Sequence, residues 1–429
     1  MDFSITANKL TGGEVGASSS KSQSQRALLL AAMASGRSEL VNVLASPDTF
    51  AMKAACEAIG AKFVRNSGGV LCVEGVSGLP HMIDTTINVC GSGQVLRFFS
   101  AVALCVENNF SVVGDSSVSS LRRMCDFVGG VSALGVSHTY LRKPGYAPIS
   151  FSGVLSPGVT SVSGCDSQVV SALMLAASYL DGVTTIKVSD PGEQPWVDLT
   201  QAWLPGAVKK AQLKDGLHYT VIGERQKAPL QYSVPGDFSS IAYLVAAAAI
   251  VGVKLTVSGL DWDDLQGDKI FIDTLISMDE NKVIEKTPAG LCVHGKARFV
   301  ADMTIDVNDC IDMVTIVAVI ACFAVGETKI TGAGIARQKE SDRLLAMGAE
   351  LKKMGANIQV NDDGFVIVGG ALFGADLLSW SDHRVAMALS VAALGAQDDS
   401  IIRGADCVKK SYPGFYSDLI KLGAGIEVL

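Results

Sequence analysis

The chain has 429 residues, 48% of them hydrophobic and 18% charged, with a formal net charge of −8 and ten cysteines. This acidic balance argues against nucleic acid as a partner. Mean hydropathy is high at +0.34, yet no apolar run reaches the ~20 residues of a membrane span; the longest, 313–325, directly follows Asp312.

The length suits two or three domains with large cores. The start, Met1-Asp2-Phe3-Ser4-Ile5-Thr6, lacks the basic region and apolar core of a signal segment. The cysteines form no C-x-x-C pair and read as reduced core residues of a cytoplasmic protein. Local basic clefts for small anions remain compatible with the net charge, because screening confines a surface charge to about 8 Å.

In chain order, the first element is a polar, basic head, Ser18-Ser19-Ser20-Lys21-Ser22-Gln23-Ser24-Gln25-Arg26, joined to an apolar Ala/Leu body ending near Met33. The body predicts a helix and the serines its N-cap. Lys21 and Arg26 crowd the end where free N–H groups and the positive dipole pole lie, so an anionic ligand fits there. The pattern of head, apolar body, turn and β-branched run then recurs. Further heads are Gly91-Ser92-Gly93-Gln94, Asp166-Ser167-Gln168, Asp237-Phe238-Ser239-Ser240, Asp309-Cys310-Ile311-Asp312 and Ser381-Asp382-His383-Arg384, about 70 residues apart. Amphipathic helices alternate with these, predicted over 49–60, 121–135, 197–211 (kinked or broken at Pro205), 264–278, 342–355 and 416–423.

A helix that is apolar all round must be buried between sheets. Six such units are too many for one core, so three and three are expected, with the seam near Gln231-Tyr232-Ser233-Val234-Pro235-Gly236. The expected domains are residues 1–18 with 236–429, and residues 19–235. If the buried helices of a domain run parallel, their positive ends converge, each worth about half a charge. Two facing domains would then make an electropositive cleft, to which Arg97, Arg122, Lys339, Arg343, Arg384 and Lys410 can add. Asp312 and Glu340 stand out as acids suited to proton transfer. Read alone, Asp312 is also a plausible N-cap, and Lys339-Glu340-Ser341-Asp342-Arg343 a capped, solvated helix start. Gly91-Ser92-Gly93 is a weak phosphate-loop signal.

Taken together, Lys21-Ser22-x-Ser24-x-Arg26-Ala27, Lys339-Glu340-Ser341-Asp342-Arg343, Ser381-Asp382-His383-Arg384-Val385-Ala386-Met387 and Lys410-Ser411-Tyr412-Pro413 resemble the 5-enolpyruvylshikimate-3-phosphate synthase family of enolpyruvyl transferases. The resemblance spans nearly the whole chain. It implies a two-domain, inside-out α/β barrel-like fold with three βαββαβ-type repeats per domain. It implies transfer of the carboxyvinyl group of phosphoenolpyruvate to the 5-hydroxyl of shikimate-3-phosphate by a cytoplasmic monomer, with no metal and no cofactor. The discontinuous domain would carry the proton-transfer acids and part of the phosphoenolpyruvate site, and residues 19–235 most of the shikimate-3-phosphate site. By the same resemblance Lys21 contacts both substrates, and Ser22 and Arg26 hold the shikimate carboxylate. Ser167, Gln168, Asp312 and Lys339 also bind shikimate-3-phosphate. Gly93, Arg122, Gln168, Arg343, Arg384 and Lys410 bracket phosphoenolpyruvate. Asp312, Glu340 and Lys21 move protons.

Some positions depart from the family pattern. Gly91 stands where Asn is usual and Gln94 where Thr is usual. Asp166 replaces a phosphate-contacting Ser, Glu193 and Trp196 replace Ser and Tyr, and Ile335 replaces Asn. The phosphate subsite therefore reads as rebuilt and the proton-transfer set as intact. Two alternatives stand beside this reading. One is the sister enzyme acting on UDP-N-acetylglucosamine, whose reactive Cys has no counterpart in 114–120. The other is a non-catalytic anion-binding relative.

Overall fold

The computed structural model describes residues 1–214, 216–288 and 290–429. Two compact units emerge, one made of Met1–Ser18 with Pro235–Leu429 and the other of Ser19–Val234. Each has its own apolar core.

Buried helices form the middle of each core. In Ser19–Val234 they are Lys21–Met33, a π-helical turn Val95–Phe99 continuing into Ser100–Ala103, and Ser167–Ala177. In the discontinuous unit they are Phe238–Val251, Val314–Phe323 and His383–Leu394. All residues of Phe238–Val251 except Val251 are buried, and each large apolar side chain so removed from water contributes about 1.5–3 kcal/mol. That helix stops at Gly252, whose φ of 96° suits glycine.

Around the helices, among the described residues, lie six four-stranded sheets, three per unit. Every sheet has the same plan: a parallel outer pair and two antiparallel neighbours. In one, Val159–Ser163 pairs parallel with Gly182–Ser189, which pairs antiparallel with Gly216–Gly223, which in turn pairs antiparallel with Val208–Leu213. The sixfold sequence repeat is thus a repeat of structure. The two chain crossings between units exchange strands. Gly13–Gly16, just ahead of helix Lys21–Met33, pairs instead with Leu255–Ser258, which follows helix Phe238–Val251. Gln231–Ser233, just ahead of that helix, pairs with Arg37–Val41, which follows Lys21–Met33.

Several sequence expectations are corrected. The helix expected over 197–211 is Gln194–Ala202; of the kink or break expected at Pro205 it is the break that occurs, and Val208–Leu213 beyond it is a largely exposed strand rather than helix. The helix expected from 121 begins only at Cys125. The apolar helix after Asp312 is preceded by a 3-10 turn, Asn308–Met313, so Asp312 does not cap it. All ten cysteines are free thiols, but only Cys56, Cys72, Cys105, Cys310 and Cys322 are buried; Cys90, Cys125 and Cys165 are exposed. Among the described residues no helix is long and apolar enough to cross a membrane.

Candidate active site

Within Ser19–Val234 the starts of the three buried helices meet. Gln94 Nε2 donates to Ser22 Oγ at 3.3 Å and Gln25 Nε2 to Ser92 Oγ at 3.2 Å. Arg97, in the π-helical turn, donates to Gln168 Oε1 at 3.1 Å and pairs with Asp166 at 2.9 Å. Such turns often mark functional positions because they re-aim side chains. Asp166, which the sequence places awkwardly at an anion site, therefore turns to a buried cation. It also caps helix Ser167–Ala177 by accepting from Gln168 N.

Ser20 Oγ accepts from Gln23 N, so the predicted serine cap forms. Lys21 Nζ lies 3.3 Å from Asp48 Oδ2. Asp48 is buried in the first turn of helix Pro47–Ala58, which opens with a Ser46/Thr49 capping box. Sequence reasoning misses Asp48, although Ser46-Pro47-Asp48-Thr49 is a legible helix start. Arg26 is buried and donates to Thr200 Oγ1 at 2.7 Å, Trp196 O at 3.3 Å and Ser22 O at 3.2 Å, with its guanidinium over Phe98. Gly93 faces Arg122 and Gln168 closely enough that a Cβ there would sit 2.5 Å from Arg122 Nη1 and 2.6 Å from Gln168 Oε1. Ser167 donates through N–H and Oγ–H to Glu193 Oε2 at 3.0 and 2.8 Å. Of the residues expected in this unit, Ser22, Gly93, Arg122, Ser167 and Gln168 thus connect through Gln94, Arg97, Asp166 and Glu193. Lys21 pairs with Asp48, and Arg26 joins Ser22 through the Ser22 carbonyl while Thr200 and Trp196 take its other donors.

In the discontinuous unit a chain of alternating charges runs between helix starts. Arg384 Nη2 donates to Asp312 Oδ2 at 2.8 Å, and Arg343 Nη1 to Asp312 Oδ1 at 2.6 Å. Arg343 also donates from Nη2 to Glu340 at 2.9 Å and from Nε to Asp382 at 2.9 Å. Lys410 Nζ closes on Glu340 at 3.0 Å. Asp382 caps helix His383–Leu394 and accepts from Ser341 Oγ. The segment 339–343 does contain the expected cap, Asp342 accepting from Leu345 N, but Lys339, Ser341 and Arg343 are buried rather than solvated.

Burial works to raise the Asp312 carboxyl, yet Arg384, Arg343 and Lys339 hold it well below the usual carboxylate range. It is a carboxylate at neutral pH, able to accept a proton but not to supply one. Arg343 and Arg384 are driven the opposite way: burial opposes their charge and their carboxylate partners more than restore it. Arg384 is 4% exposed, and its Nε and Nη1 make no hydrogen bond among the described residues. Two buried donors on one guanidinium are suited to a planar or tetrahedral anion. Glu340, Asp382 and His383 bring potential ligand atoms within 4.8 Å of one another, but Arg343 already pairs with both carboxylates, and Lys410 with Glu340 as well. Ile335, in the turn Gly334–Gln338, packs against the apolar core.

Behind Arg384 lies Asp268, which sequence reasoning also misses. It accepts from Ser239 Oγ and sits 3.8 Å from Arg384 Nη2. Burial pushes its carboxyl up to about 7, against the pull of Arg384. A carboxyl raised in the folded state favours folding most below its unfolded value, near 4, and loses that advantage as pH rises through about 7. Asp268→Asn is therefore expected to gain stability over wild type on going from pH 5 to pH 8, by about 2 kcal/mol. Urea unfolding at the two pH values measures this; a pH-independent difference would overturn it.

Three of the buried-helix starts carry a cation, Lys21, Arg97 and Arg384, and the discontinuous unit adds carboxylates paired to arginine, an arrangement suited to an anion-handling transferase of the inside-out α/β class. The chain aligns with a crystal structure of EPSP synthase from Acinetobacter baumannii at a TM-score of 0.79 and 24% identity, covering 99% of each chain, which shows the fold. A family model for EPSP synthase (3-phosphoshikimate 1-carboxyvinyltransferase) matches residues 5–419. The chain is 36% identical to the 3-phosphoshikimate 1-carboxyvinyltransferase of Chlamydia felis, covering 99% of this chain and 94% of that protein. It is 37% identical to that of Chlamydia abortus, with the same coverage, and 36% identical to that of Methanococcoides burtonii, covering 96% of each. The chain belongs to the EPSP synthase family.

Proposed function

We infer that this chain joins the carboxyvinyl group of phosphoenolpyruvate to the 5-hydroxyl of shikimate-3-phosphate. The observation that carries this reading is Asp312, gripped by Arg343 and Arg384 beside a Glu340 gripped by Arg343 and Lys410. The reaction adds the hydroxyl oxygen to C2 of phosphoenolpyruvate while C3 gains a proton. The tetrahedral intermediate then expels phosphate as C3 loses a proton. Asp312, already ionised, accepts the hydroxyl proton. Glu340 and Lys21 serve the methylene carbon. Arg343, Arg384, Lys410 and Arg122 neutralise the phosphate and carboxylate of phosphoenolpyruvate, with Gly93 and Gln168 shaping that subsite. Ser22, Arg26, Ser167, Gln168 and Lys339 hold shikimate-3-phosphate. Asp48 positions Lys21. The Ser19–Val234 unit supplies most groups for shikimate-3-phosphate and the discontinuous unit the acids. We place the enzyme in the cytoplasm as a monomer.

Incubating purified protein with phosphoenolpyruvate and either shikimate-3-phosphate or UDP-N-acetylglucosamine, and following phosphate release, tests this. Release with the first acceptor is expected. Release with the sugar nucleotide alone, or with neither, would overturn it. The helix Ser116–Ser120 lies in the stretch where the sugar-nucleotide enzyme carries its reactive thiol and has no cysteine; Cys125 begins the next helix and is exposed.

Within this reading, Gly93→Ala is expected to raise the KM for phosphoenolpyruvate about tenfold or more, because the new methyl must push the Arg122 guanidinium or Gln168 aside. The KM for shikimate-3-phosphate should move far less. Steady-state kinetics with each substrate varied in turn distinguishes the two; an unchanged KM for phosphoenolpyruvate would remove Gly93 from that subsite.

A further inference from the structure

The start of helix Ser167–Ala177 is the natural anion seat of the Ser19–Val234 unit, yet internal carboxylates already use it. Glu193 Oε2 accepts both the N–H and the Oγ–H of Ser167, at 3.0 and 2.8 Å. Asp166 Oδ1 accepts the next N–H, that of Gln168, at 3.1 Å. Glu193 is 2% exposed and Ser167 4% exposed, so neither bond is a loose surface contact. Glu193 stands at the N-cap of helix Gln194–Ala202 but does not cap it; its side chain reaches across to the neighbouring helix instead.

Its backbone is unusual as well. Glu193 has φ 48° and ψ 41°, a left-handed conformation that side-chain-bearing residues rarely adopt. Asp190, at the other end of the four-residue link from strand Gly182–Ser189, also has φ 48°. Between them lie Pro191 and Gly192, with Gly192 N bonded to Gly164 O at 2.9 Å. The link thus delivers a carboxylate to the helix start through a conformation that needs support, and the two Ser167 bonds supply it.

We propose that Glu193 is an internal anion that occupies the shikimate-3-phosphate subsite and must yield Ser167 when the substrate's phosphate binds. This rests on the assignment of Ser167 to shikimate-3-phosphate given above. A phosphate dianion and a carboxylate cannot share one serine's two donors, because like charges at that distance repel and each acceptor needs the same hydrogens. Arg97, whose charge both Asp166 and Glu193 favour, offsets part of their negative charge while the seat is closed in this way. Glu193 therefore sets how tightly the enzyme holds its phosphorylated substrate, and it discriminates against weaker anions at the same position.

The test pairs a binding readout with a kinetic one. Glu193→Gln keeps the shape and an acceptor for Ser167 but removes the charge. Its affinity for inorganic phosphate, measured by calorimetry, is expected to rise about tenfold over wild type, and the gain should vanish in Glu193→Gln/Ser167→Ala. The KM for shikimate-3-phosphate is expected to fall by a similar factor, while the KM for phosphoenolpyruvate changes less than twofold. Glu193→Ser, which shortens the side chain, guards against a folding defect in the first variant and should show the same gain. Equal or weaker phosphate binding in both folded variants overturns the proposal, whatever the activity. A phosphate effect without turnover of shikimate-3-phosphate by wild type would instead overturn the substrate assignment and leave the carboxylate's occupancy of the seat standing.

Discussion

Asp312→Asn is expected to lower kcat for phosphate release by about 10²–10⁴-fold, the usual contribution of a positioned general base. Asparagine fills the same space, and its one amide oxygen can accept from either Arg343 or Arg384 but not both, so the site's volume should survive while one arginine contact is lost. It cannot take the hydroxyl proton. The carboxylate is kept ionised by Arg384, Arg343 and Lys339 despite its burial, so wild type needs no elevated pH to be competent. Binding of both substrates to the variant, measured by calorimetry, should change far less than kcat. An Asn variant with more than a tenth of wild-type kcat would remove Asp312 from the chemistry. One with normal kcat at saturation and a raised KM would make it a binding group only.

Arg343→Met should produce the largest loss of stability. Arg343 is buried and touches three carboxylates: Asp312, Glu340 and Asp382. Asp382 is fully buried and also caps helix His383–Leu394. Removing the shared cation leaves buried negative charge without compensation, which typically costs about 3–5 kcal/mol. The sign of the pH dependence follows from the same pairing. Arg343 helps hold the Asp312 carboxyl below its ordinary range, so in the variant that carboxyl takes up a proton at higher pH. The stability gap to wild type is therefore expected to narrow as pH falls from 7 towards 4. Denaturant midpoints across that range measure this, and a gap that widens on acidification would mean that some other contact of Arg343 dominates.

Much of this site can be read before any coordinates. The six heads announce themselves because each puts polar and charged residues on an otherwise apolar helix, and the apolar bodies leave only their ends for chemistry. Lys21, Asp312 and Arg384 are visible for that reason, whereas Glu340 and Arg343 stand out in the charged run 339–343 ahead of an amphipathic helix. Their partners are not, because the fold supplies them. Asp312 meets Arg384 across 72 residues, and Arg26 meets Thr200 across 174. Asp268 looks like any loop acid until Ser239 and Arg384 close on it. Glu193 reads as an oddity until its carboxylate is seen on Ser167. The misread stretch 197–211 has a local cause: its charges and apolar residues suit either period, and only the Pro205-Gly206 break with an adjacent sheet edge makes Val208–Leu213 a strand.

The exchange of strands at the two crossings has a consequence for how the protein is made. Phe3–Ile5 and Gly13–Gly16 are translated ahead of their sheet partners, Ser400–Arg403, Ile426–Val428 and Leu255–Ser258. Every strand partner of Ser19–Val234, by contrast, has been translated once Ser233 is added. Residues 19–234 can therefore fold during synthesis while Gly13–Gly16 waits for Leu255–Ser258 and Phe3–Ile5 waits for nearly all of the rest to be translated. That order leaves both edges of Phe3–Ile5 unpaired for longest, and they are what a ribosome-associated chaperone has most to protect.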